Sequence, residues 1–149
     1  MKIPVDTHTF HYYNANLKNK HTTDCVIRAL SLALNQSYEH TLSELVDLWL
    51  KTGYDLCDVK CYGKYLELKG WTKMKQPKTL ANTKYTGSQF CLLLNHDSSL
   101  SQNTPVLAHI GSQHIACIKQ VHEDGEVLYK IHDTWNCSAH CVGVYWVKL

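Results

Sequence analysis

Long apolar runs are scarce in this chain of 149 residues. The longest, Phe90 to Leu94, falls far short of the roughly 20 residues that span a bilayer. The opening Met-Lys-Ile-Pro-Val-Asp-Thr-His carries no apolar segment of signal-peptide length, so a cytoplasmic protein of a bacterial host cell, with reduced thiols, is expected. Charge of one sign is also in short supply. Lys and Arg number 15 against 13 Asp and Glu, and no basic cluster stands out, which argues against nucleic-acid and membrane partners. Repeats and low-complexity segments are missing too, which excludes solenoids and disordered tracts. Seven cysteines, an odd count, do not make a complete disulfide framework.

What is present is the balance of an ordinary globular chain, 44% apolar and 19% charged, of a length suited to one domain over residues 1–149. Residues 8–14 alternate aromatic and polar side chains, as an edge strand does. Thr22-Thr23-Asp24 offers capping groups ahead of a helix over 24–35, where Val26, Ala29, Leu30, Ala33 and Leu34 recur at helical spacing. A second helix is predicted from Thr41 to Lys51, with Thr41 and Glu44 as a capping box, a stripe of Leu42, Leu45, Val46 and Trp49, and Gly53 as its stop. A third spans 58–68 and a fourth 86–95. After Pro105 the pattern turns to strands over 106–110, 113–121, 126–133 and 142–148, with Asp124-Gly125 as a hairpin turn. Helices first and an antiparallel sheet after them make an α+β fold.

Cys25 falls in the first turn of the first helix, where free amides and the helix dipole favour a thiolate. A buried thiol at such a place is commonly inert, so it needs a base. With a two-residue turn at Asp124-Gly125, Glu123 faces Glu126 and Trp135 faces His114. Asp133 then lies one diagonal step from His114 on the same face, which also carries Ala116, Ile118, Val127, Tyr129 and Ile131. Histidine and carboxylate in reach of one another form a base and the group that orients it. His109 has no such carboxylate across a hairpin, and His132 points to the opposite face.

The segments Asp24-Cys25-Val26-Ile27-Arg28-Ala29-Leu30, His114-Ile115-Ala116 and Asp133-Thr134-Trp135 resemble the papain-like cysteine peptidase superfamily. More narrowly, the chain is similar to small C39-like proteins of phages and Gram-positive bacteria from about Tyr12 to Trp146. The shared features include Gly53-Tyr54, Lys64-Tyr65-Leu66, Gly70-Trp71 and Gly143-Val144-Tyr145-Trp146. The resemblance implies a nucleophile helix packed on an antiparallel sheet whose strands carry the histidine and the acid. It also implies a cysteine-dependent hydrolase acting on a peptide, protein or amide substrate through Cys25, His114 and Asp133, without metal or organic cofactor. Papain-like enzymes place a Gln several residues before the cysteine as an oxyanion donor. Here no Gln precedes Cys25, and Asn19 or Asn16 would stand in, beside the Cys25 backbone N–H.

Two alternatives remain open. A catalytically idle papain-like fold would serve as a phage-type protein-binding inhibitor. The pairs Cys57/Cys61 and Cys137/Cys141, equally spaced and with His140 beside the second, would together suit a structural zinc. Cys91 and Cys117 read as core. Trp135 is placed to shield the His114–Asp133 pair from water, and Tyr12, Tyr13 and Tyr85 are candidates for a cleft rim.

Overall fold

The computed structural model describes residues 2–20, 22–101 and 103–149, and Ser98 through its backbone alone. After strand β1 (Phe10–Tyr12) come helices α1 (Cys25–Leu34), α2 (Tyr38–Thr52) and α3 (Val59–Leu68), then β2 (Thr72–Met74) and α4 (Gly87–His96). Strands β3 (Val106–Ile110), β4 (Ile115–Glu123), β5 (Glu126–Asp133) and β6 (Val142–Val147) complete the chain. The strands form one sheet in the order β1-β5-β4-β3-β6-β2. The architecture is α+β, with one correction: the sheet is mixed, because β1 runs parallel to β5. The long connection from β1 to β5, which includes helices α1 to α4, allows this parallel pairing, which a tight turn does not.

Local chemistry explains most boundaries. Ser37 Oγ accepts from the His40 backbone N–H and starts α2 a turn before Thr41. Thr41 is instead buried inside the helix, and Glu44 accepts from the Tyr65 hydroxyl at 2.6 Å, so the expected capping box does not form there. A reciprocal capping box does form at α4 between Thr86 and Gln89. Gly53 ends α2 as expected, at φ 79°. Of the stripe read on α2, Leu45 is buried and Leu42 packs against the core, whereas Val46 and Trp49 stay exposed.

The sheet has an apolar cluster on each face. Phe90, Cys91 and Leu94 of α4 meet Ala116, Ile118, Tyr129 and Ile131 on one side. Val26, Ala29, Leu30, Tyr62, Tyr65 and Leu66 of α1 and α3 meet Leu107, Ile115, Cys117 and Trp146 on the other. Neighbouring residues of β4 therefore serve opposite layers, as the pleat requires. The face carrying Ala116 and Ile131 thus packs on α4; the helix bearing Cys25 covers the reverse side. No helix among the described residues is long and apolar enough to cross a membrane.

Candidate active site

The hairpin register is as the sequence predicts, from Glu123 opposite Glu126 to Cys117 opposite His132. His114 lies one residue before β4 begins, and Gln113 ahead of it has a left-handed backbone at φ 57°. Asp133 is the last residue of β5. Both side chains therefore sit at the end of the sheet, where α1 begins, and can meet a helix that covers the opposite face. His114 Nε2–H donates to Asp133 Oδ2 at 2.6 Å. Cys25, half-buried at the first position of α1, shares one cavity wall with His114 and another with Ile115.

Asp133 is saturated with donors. Oδ1 accepts from Arg28 Nη1 at 2.8 Å and from the Thr134 backbone N–H at 2.7 Å. Oδ2 accepts from His114 and, at 3.9 Å, from the Cys137 thiol. Arg28 also donates through Nε to Asp24 Oδ1 at 2.7 Å. Asp24, expected as a cap, makes no side-chain capping bond and instead accepts from Arg28, the Tyr38 hydroxyl at 2.8 Å and the Asn16 amide at 3.3 Å. A chain of alternating charge results: Asp24, Arg28, Asp133, His114, Cys25. Removed from water, each carboxylate is stabilised by an adjacent cation and by full hydrogen bonding.

The site electrostatics favour an ion pair. Burial opposes charge on His114, but hydrogen bonds to Asp133, Cys137 and Cys25 outweigh it and raise the imidazole pKa to about 11. Burial likewise opposes the Cys25 thiolate. The His114 and Ile115 hydrogen bonds and the positive charges of His114 and Arg28 prevail and bring the thiol down. Burial pushes Cys57, Cys61, Cys91, Cys117 and Cys137 up. Cys25 thus differs in kind from these thiols.

Two cavities share Cys25 and Gln113 in their walls. One, of about 620 Å³, is bounded also by Lys20, Thr22, Thr23, His114 and Trp135. The other, of about 440 Å³, is bounded by Val26, Cys57, Val59, Tyr62, His109 and Ile115. Trp135 lies against His114 with ring centroids 4.8 Å apart and covers one side of the imidazole, as expected. His109 is engaged by the Tyr62 hydroxyl rather than by a carboxylate, and burial, then the repulsion of Lys73 and His114, lowers its pKa below the usual imidazole value. Tyr13 borders a small crevice beside Cys25, whereas Tyr12 and Tyr85 pack on the core.

The Asn16 amide is occupied by Asp24, and Asn19, exposed in a turn at φ 53°, is not in the wall of either cavity. The structure does not bring the two cysteine pairs together. Cys61 is buried against the Leu45 carbonyl, Cys137 lies beside Asp133, and Cys57 and Cys141 are exposed. Among the described residues, the potential metal ligands that do converge are His114, Asp133 and Cys137, within 4.8 Å of one another. The places of Arg28, Cys137 and Gln113 in this site escape the sequence reading, which named Cys137 only as a possible zinc ligand. Arg28, four residues beyond Asp24, carried the signal of a helical ion pair; Cys137 and Gln113, in loops, carried none.

Comparison of the chain with models of known protein families, with curated proteins and with solved structures finds no match.

Proposed function

We propose that this protein is a cysteine-dependent hydrolase of papain-like arrangement, acting on a peptide, isopeptide or amide bond. The observation that carries the proposal is Cys25 at a helix start, sharing a cavity wall with a His114 that is hydrogen-bonded to Asp133. The Cys25 thiolate attacks the carbonyl carbon, and its backbone N–H at the start of α1 faces the developing oxyanion. His114 passes its proton to the departing amine, leaving a thioester on Cys25. His114 then takes a proton from water, hydroxide adds to the thioester, and the acid and the thiolate separate. Asp133 holds the ring so that Nε2–H is always occupied and the other nitrogen serves the sulfur. The chemistry needs no metal or organic cofactor. All seven cysteines are free, which suits work in a reducing compartment such as the cytoplasm.

A second reading draws on a specific observation. Neither asparagine candidate offers a free amide at the cleft, and loss of one oxyanion donor typically costs about 100-fold or more in rate. An idle papain-like fold that binds a protein partner is therefore the competing proposal.

Alkylation of the seven thiols by iodoacetamide, followed by peptide mapping across pH, tests the ion pair. Cys25 is expected to react fastest and to stay reactive below neutral pH, where the other thiols are protonated. His114→Ala should abolish that advantage. Equal rates at all seven thiols, unaltered by His114→Ala, exclude a hydrolase. Preferential labelling without turnover of any amide or peptide library favours the binder.

A further inference from the structure

We infer that the acyl side of a peptide substrate runs from Cys25 past Val59 into a groove that selects acidic residues. This deepens the hydrolase reading and rests on it. The groove, about 630 Å³ between α3 and β2, is walled by Trp71 and Trp146 and rimmed by Lys60, Lys64 and Lys73. Val59 stands in the wall of both this groove and the 440 Å³ cavity beside Cys25. The partition between them is aromatic, since Trp146 packs on His109 at 5.0 Å and on Tyr62 at 6.0 Å between centroids. An extended chain can therefore cover both without crossing a charged barrier.

The direction follows from the proton. His114 must reach the departing amine, and His114 borders the 620 Å³ cavity on the Trp135 side. The leaving group belongs there, and the acyl portion belongs on the Val59 side. Near Cys25 that side offers Val26, Val59, Tyr62 and Ile115, with His109 held by the Tyr62 hydroxyl, so the first residues it takes are uncharged. Farther out the three lysines dominate. Glu67 is the acidic group on the same rim, and it is paired with Lys64 at 4.0 Å. Lys60 lies over Tyr54 at 5.0 Å and Lys73 over Trp146 at 5.9 Å, and among the described residues neither forms an ion pair with a carboxylate. The chain as a whole carries only +2, so this is a local feature. Carboxylates three or more residues ahead of the scissile bond fit it, by charge complementarity.

Two peptidyl fluoromethyl ketones, alike in the apolar residues next to the warhead, and carrying either three glutamates or three lysines upstream, provide the test. Such reagents extend only on the acyl side of Cys25. The rate of Cys25 labelling by each, divided by the iodoacetamide rate of the same protein, is the readout. The glutamate peptide should react about 10-fold faster at low salt, and the advantage should shrink as salt rises. Lys60→Glu/Lys64→Glu/Lys73→Glu should reverse the preference, and the single exposed change Lys64→Glu should reduce it should the triple variant fail to fold. If iodoacetamide does not single out Cys25, the hydrolase reading falls and takes the groove with it. If it does, and the two peptides react alike or the variants keep the glutamate preference, the groove proposal alone is overturned.

Discussion

Arg28 is the residue on which the charge of the site turns. Its guanidinium reaches Asp24 through Nε and Asp133 through Nη1, a fork that a lysine ammonium cannot reproduce from one point. Its side chain is 11% exposed, and the carboxylates it joins are buried further still. Arg28→Met should therefore cost about 3–5 kcal/mol in chemical denaturation, since two buried carboxylates lose their cation. It should also move the pH profile of Cys25 alkylation upward, because Arg28 helps to hold that thiol down. Arg28→Lys should recover part of the alkylation profile and less of the stability. An unmoved alkylation profile in Arg28→Met would confine the residue to a structural role. The trio of Cys25, His114 and Asp133 was legible because a helix start and a two-residue turn are local signals. The arginine that joins them to Asp24 was not, because its second partner lies 105 residues away.

The docking of α4 governs a different part of the site. Gly87 opens the helix so close to the strand and loop beneath it that a Cβ there would lie 2.8 Å from Ile131 Cδ1 and 3.2 Å from Ser138 Cα. Its N–H donates to the His140 carbonyl at 2.8 Å, and that of Ser88 to the Ser138 carbonyl at 2.9 Å. The loop so held carries Cys137 against Asp133. Gly87→Val should destabilise the fold by roughly 1–3 kcal/mol, and a thermal melt that matches the parent would show that the loop yields freely. The sequence pattern located α4 and the hairpin register well. It misplaced the start of α2, because Ser37 supplies a cap that outcompetes Thr41, and it did not show β2. That three-residue strand is defined by its pairing with β6.

Across the whole molecule, the Cys25–His114 pair couples stability to pH in a way neither group would alone. The raised imidazole contributes stability that is full below its unfolded pKa of 6.5 and declines as pH rises toward about 11. The lowered thiol contributes stability that is present above its unfolded value of 9.0 and declines as pH falls through its folded value. Between the folded value of Cys25 and 9.0 the two slopes have opposite sign, because there folding binds a proton at His114 and releases one at Cys25. Denaturation midpoints of the parent should therefore change little over that window. Cys25→Ala removes one of the slopes, and its stability should fall with rising pH by up to about 1.4 kcal/mol per unit. Parallel curves for the two proteins would refute the ion pair.

Sequence alone determined the helix that presents Cys25, the turn at Asp124-Gly125 and, through it, the approach of His114 to Asp133. These rest on caps, periodicity and loop length, which act over a few residues. Tertiary structure decided which face of the sheet each helix covers, the parallel seating of β1, the bridging of Asp24 to Asp133 by Arg28, and the separation of the four cysteines once grouped by spacing. Those outcomes depend on which buried surfaces meet and on where a buried charge finds its partner, and no local signal in the chain carries that information.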